Sequence, residues 1–132
     1  MPTSVTTVSD GGFASTSTVR EFSVDIDPRG EAAPDTIESL LAAYAACFIP
    51  ALRVTAERED LGSLGRVEID VEGDLDEDGK LEASRFDIEL GADLDADERD
   101  RLIAGARSLC KVHATLRDPL KAAVAVNGAD VA

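Results

Sequence analysis

The hydrophobic and polar positions change period several times along the chain. Residues 4–8 and roughly 19–27 read as strands, because the second of them alternates apolar Val19, Phe22, Val24 and Ile26 with polar neighbours. Gly11-Gly12 between them suits a hairpin turn, and Pro28-Arg29-Gly30 ends the pattern in a loop over 28–34. Thr36 to about Glu59 then reads as a helix with Asp35 as N-cap and Glu38 three residues on. Its stretch from Leu40 to Ile49 is apolar almost all round, which predicts burial on most sides. Pro50 lacks the N–H that would bond the Ala46 carbonyl, so a kink is expected there. Residues 66–72 and 82–90 alternate as strands around a polar turn from Asp74 to Lys80. A second helix is read over 95–109, where Leu102, Ile103, Ala106 and Leu109 share a face. A short helical turn is expected around 114–119, and residues 122–126 close the chain as a strand.

The order ββ-α-ββ-α-β, with strands in runs and helices segregated, implies an α+β fold. At 132 residues the chain reads as a single domain over 1–132. With no Trp, Tyr44 as the only tyrosine and four Phe, the core must be mostly Ala, Val, Leu and Ile. An apolar first helix is hard to bury completely in so short a chain, and a homodimer that sandwiches it is the natural solution.

Charge narrows the partners. A formal net charge of −14 repels phosphates and anionic lipid heads, so neither nucleic acid nor a membrane surface is expected as a partner. Lys80, Lys111 and Lys121 are the only lysines against ten arginines, a balance that suits either a halophilic protein or an ordinary acidic cytosolic one. No apolar run reads as long enough for a membrane span. The first residues, Met1-Pro2-Thr3-Ser4-Val5, lack the basic and apolar regions of a signal peptide, so a cytoplasmic location is expected.

The candidate chemistry lies in Cys47, mid-helix, and Cys110, at the end of the second helix. Either could be a small buried core residue, the commonest fate of a free cysteine. In a reducing compartment a distant pair is more often redox-active or buried than a permanent staple. Tyr44, three residues before Cys47, either lines a substrate pocket, donates a hydrogen bond to the sulfur, or is a core aromatic. Asp74 to Leu81 imitates the start of an EF-hand loop, but Arg85 stands where the bidentate glutamate belongs and the flanks are strands. It reads as a charged hairpin turn. Asp93, Asp95, Asp97 and Glu98 form an acidic run that capping and the helix dipole explain. His113 is the only histidine, so Cys110 and His113 make no metal site; no metal and no cofactor is expected.

Two segments carry a family resemblance. Pro34-Asp35-Thr36-Ile37-Glu38-Ser39-Leu40-Leu41-Ala42-Ala43-Tyr44-Ala45-Ala46-Cys47 resembles the first cysteine motif of OsmC/Ohr-like proteins, the osmotically inducible and organic hydroperoxide resistance proteins. Ala104-Gly105-Ala106-Arg107-Ser108-Leu109-Cys110-Lys111-Val112-His113 resembles the second. The resemblance implies an intertwined homodimer with two sheets around two long central helices. It also implies a peroxiredoxin-like organic hydroperoxide reductase. Carried over, Cys47 attacks the hydroperoxide and becomes a sulfenic acid, Cys110 resolves it to a disulfide, and a dithiol reductant restores both. The family's peroxidases hold the thiolate with an arginine from the N-terminal strands, positioned by a glutamate ten residues before the first cysteine. Here the tenth residue is Ile37, Glu38 is the ninth, and the one arginine in the predicted N-terminal strands is Arg20, away from the Gly-Gly turn. Arg20 and Glu38 are the candidates for those roles, and the pattern fits the general OsmC-like branch. That branch also admits a non-catalytic dimer that binds a small apolar molecule or senses redox state.

Overall fold

The computed structural model describes all of residues 1–132. The chain divides into two compact units, Met1–Leu40 and Leu41–Ala132.

The first unit carries a three-stranded antiparallel sheet in the order β1 (Thr6–Val8), β2 (Ser15–Val19), β3 (Phe22–Ile26). The expected strand over 19–27 is therefore two strands and a turn. Ser15–Val19 pairs on both sides, although only its last residue is aliphatic; its threonines suit a pleated ribbon without alternating in hydropathy. Arg20 sits in the tight β2–β3 turn with φ 55°, not within a strand. The loop after β3 is organised by Asp27. Its buried carboxylate accepts the backbone N–H groups of Arg29, Glu31 and Ala32.

Helix α1 (Thr36–Arg58) begins in the first unit and runs through the second. Its start is a reciprocal capping box: the Glu38 N–H donates to Asp35 Oδ1 at 2.7 Å, and the Asp35 N–H donates to Glu38 Oε1 at 2.9 Å. The helix continues through Pro50. Contrary to the expectation that no run is long enough, α1 is long and apolar enough to cross a membrane by length and composition. It serves instead as the core helix. Tyr44, Phe48, Ala51, Leu52 and Ala56 are buried along one face, while Ala42, Ala43, Ala46 and Pro50 remain exposed on another.

In the second unit, β4 (Val67–Leu75), β5 (Leu81–Leu90), β6 (Ala123–Val126) and β7 (Ala129–Val131) form one sheet in sequence order. β4 and β5 are antiparallel, β5 and β6 parallel, β6 and β7 antiparallel. The β4–β5 connection is the expected charged turn, in which Asp76 Oδ1 accepts from the N–H groups of Asp78 and Lys80. β7 is an addition to the expected order. It folds back across Asn127-Gly128, both in left-handed backbone conformation (φ 49° and 83°).

Helix α2 (Ala96–Leu109) is capped by Asp95 and Glu98 in a second capping box. It ends at Cys110, which is also the N-cap of a single-turn helix α3 (Lys111–Thr115). A 3-10 turn at Asp118–Leu120 leads into β6. The core joins the buried face of α1 to Leu102, Ile103 and Ala106 of α2 and to Phe86, Ile88, Val124 and Val126 of the sheet. Each large side chain fully buried there, such as Phe48 or Leu52, contributes about 1.5–3 kcal/mol.

Candidate functional site around Cys47 and Cys110

α1 brings Cys47, half-buried, beside Cys110, which is 1 % exposed at the α2–α3 junction. Both are free thiols, and Cys47 packs against the core cluster that contains Cys110. The two sulfurs have opposite electrostatics. The backbone N–H of Val112, then the Cys110 thiol and the backbone N–H and charge of Lys111, hold the Cys47 thiol below its usual range despite its partial burial. Burial pushes the Cys110 thiol up, and hydrogen bonding and charge repulsion from Cys47 add to that. Cys47 is thus the more acidic thiol of the pair, and Cys110 the less acidic.

The local chain path explains this. Cys110 has extended backbone (φ −71°, ψ 112°), its own N–H closes α2 on the Ala106 carbonyl at 2.9 Å, and its sulfur accepts the His113 N–H at 3.5 Å. The turn that follows leaves the Lys111 and Val112 amides without helical acceptors, and these are the amides that act on Cys47.

A buried polar pair lies beside the sulfurs. Tyr44 is 1 % exposed; its hydroxyl is 2.6 Å from His113 Nδ1 and accepts the Ala122 N–H at 3.0 Å. Burial, with the nearby charges of Lys121 and Arg107, holds His113 below its usual range. The Tyr44 hydroxyl is therefore spent on His113 and Ala122, and Tyr44 is packed on Phe86 at 4.6 Å between ring centroids.

Cys47 opens on a groove of about 390 Å³ lined by Pro50, Ala51, Val54 and Leu109, with Arg58 and Lys111 as its cations. Tyr44 does not line it. Arg20 and Glu38 belong to the first unit, Cys47 and Cys110 to the second. The Arg20 guanidinium lies over the Phe22 ring at 5.3 Å, and the Glu38 carboxylate closes its capping box. Lys111, Val112 and His113 were missed as parts of the site by reading side chains for catalytic types. The usable signal was a polarisable N-cap three residues before His113.

A family model described as OsmC-like protein matches residues 28–125. An uncharacterized protein of Haloferax volcanii is 43 % identical over 122 residues, covering 92 % of both chains. Among solved structures, an OsmC-like protein from Mycoplasma pneumoniae superposes with a TM-score of 0.84 at 20 % identity, covering 96 % of each chain. The organic hydroperoxide resistance protein OhrB of Bacillus subtilis superposes with a TM-score of 0.69 at 22 % identity, covering 94 % of this chain and 98 % of its own.

Proposed function

The chain belongs to the OsmC-like family, and from that premise we propose that it is a thiol-dependent peroxidase that reduces organic hydroperoxides through Cys47. The carrying observation is the thiol pair itself: a Cys47 held low by backbone amides, beside a Cys110 pushed up by burial, at the mouth of an apolar groove. The printed name of the Bacillus subtilis neighbour agrees with this reading.

In the first step the Cys47 thiolate attacks the outer oxygen of ROOH. The O–O bond breaks, an S–O bond forms, and the alkoxide leaves and takes up a proton as ROH. Sulfur is oxidised by two electrons and the peroxide is reduced by two. In the second, the Cys110 sulfur displaces hydroxide from the sulfenic acid, giving a disulfide and water. The order follows from charge. Conversion of the thiolate to a neutral sulfenic acid removes the repulsion that raises Cys110, so the resolving thiol ionises more easily once it is needed. A dithiol reductant then takes the disulfide by exchange.

The chain acts as a cytoplasmic homodimer in this reading. Phe22 and Val24 on β3 and Val54 on α1 are exposed apolar side chains, and the small exposed face of α1 suits close helix packing. A second reading, a non-catalytic dimer that binds an apolar molecule or senses redox state, is favoured by Glu38 being committed to its capping box.

One equivalent of an alkyl hydroperoxide should consume two thiols per subunit and leave an intramolecular disulfide. Cys47→Ser should abolish turnover. Cys110→Ser should react once and stall at a sulfenic acid trapped by a dimedone-type probe. If wild type consumes no thiol with any alkyl hydroperoxide, the second reading replaces the first.

A further inference from the structure

Two cross-links between the same chain segments run side by side. Tyr44 stands three residues before Cys47 on α1, and His113 three residues after Cys110. The first link is the hydrogen bond of 2.6 Å between Tyr44 Oη and His113 Nδ1; the second is the thiol pair. Because the Tyr44 oxygen already accepts the Ala122 N–H at 3.0 Å, its own proton is the one shared with His113. Separately, the backbone N–H of His113 donates to Cys110 Sγ at 3.5 Å. The pair is buried, with Tyr44 1 % and His113 9 % exposed, so water does not readily substitute for a lost partner.

We infer that Tyr44 and His113 are a positioning pair that holds the Cys110–His113 turn against Cys47. Their side chains hydrogen-bond each other and neither sulfur; only the His113 backbone N–H reaches Cys110 Sγ. Their effect is indirect: the turn between Cys110 and His113 contains the Lys111 and Val112 amides that act on Cys47, and it aims Cys110 at the sulfur it must resolve. Only one of the two cross-links changes with oxidation. The Tyr44–His113 bond survives while the thiol pair passes from free thiols to sulfenic acid to disulfide, so the turn need not be found again in each cycle.

The test has two arms. The first measures the rate of Cys47 alkylation by iodoacetamide against pH, with the adduct located by peptide mass, and uses no peroxide. Tyr44→Phe and His113→Leu should each move the midpoint upward by about one unit, an approximately tenfold loss of reactive thiolate near neutrality. His113→Asn places an amide oxygen where Nδ1 accepts and should restore the wild-type profile. The second arm rests on the proposed peroxidase chemistry. Tyr44→Phe should lengthen the lifetime of the dimedone-trappable sulfenic acid, because Cys110 is less well aimed. Should Tyr44→Phe fail to fold, the two His113 variants decide. Profiles of Tyr44→Phe and His113→Leu within twofold of wild type overturn the inference, as does an alkylation profile of His113→Asn as damaged as that of His113→Leu. A protein that ignores peroxide yet shows the alkylation shifts would overturn the peroxidase reading and keep the positioning pair.

Discussion

Sheet register turns the net charge of −14 into a specific weakness. On one face of the β4–β5 ribbon, Glu68 lies opposite Glu89 and Asp70 opposite Asp87, while Glu72 faces Arg85. Arg66 offsets Glu68 at 2.9 Å and Arg85 offsets Asp87 at 3.1 Å, but no ion pair involves Asp70. Two unit charges about 5 Å apart in water repel by about 0.8 kcal/mol, within the range measured for cross-strand pairs. Asp70→Lys converts that repulsion into an attraction of similar size, a swing of about 1–2 kcal/mol at low ionic strength. For a chain of this length that corresponds to a rise in Tm of about 5 °C. Asp70→Asn removes the repulsion only and should give about half. In molar salt the Debye length falls to about 3 Å and both gains should nearly vanish, while the wild-type Tm itself rises. Asp130→Lys should do the reverse at low salt, because Asp130 pairs with Arg85 at 3.2 Å. Melting curves of the four proteins at low and molar salt are sufficient. A gain for Asp70→Lys that persists in molar salt, or one matched in full by Asp70→Asn, would refute the electrostatic account. A flat wild-type Tm would remove the case for a salt-adapted surface.

Further outcomes follow from packing and from pH. A methyl group at Gly105 would run into the Thr55 side chain where α1 and α2 meet, so Gly105→Ala should cost about 1–3 kcal/mol in denaturant unfolding, largely recovered by adding Thr55→Ala. Thr55 Oγ1 is buried without a hydrogen-bond partner, so Thr55→Val should stabilise by about 1 kcal/mol; a loss would mean that the hydroxyl is satisfied. The amides around Asp27, led by Ala32, hold its carboxyl below the usual range, so its contribution is full above the ordinary aspartate value of about 4 and is lost as pH falls through the lower folded value. Asp27→Asn should therefore melt lower than wild type at pH 6 and converge with it in strong acid. Equilibrium sedimentation should give about twice 13.9 kDa, and a monomer at micromolar concentration would count against the dimer.

Features with a local cause could be read from the chain, and those set by tertiary pairing could not. Asp35 with Glu38, and the acidic run that contains Asp95 and Glu98, are helix starts that need no partner elsewhere, and both are capping boxes. Strand β2 has no hydropathy alternation to detect, because Ser15 to Thr18 are all hydroxylated and its pairing comes from neighbours on both sides. β7 had a local signal, Asn127-Gly128, that a search for apolar alternation passes over in so short a strand. Residue types alone left Cys47 and Cys110 as possible core residues; the two family motifs paired them. The partner of Tyr44 stayed hidden because His113 was weighed only as a metal ligand.

A thiolate needs positive potential, and a side-chain reading looks for it in Arg20 or in an arginine held by Glu38. Here Glu38 is bound to the start of its own helix, Arg20 lies over Phe22, and the largest influence holding Cys47 low is the main-chain N–H of Val112. An amide donor leaves no letter in the sequence, since every residue but proline supplies one. What specifies it is the geometry of the turn, and the residues that specify the turn are distant ones: Cys110 as its cap, Ala122 and Tyr44 through His113. In the proposed chemistry, the departure from the family's glutamate position at Ile37 still leaves Cys47 the amide of Val112, on a turn that the inferred Tyr44–His113 pair would hold in place.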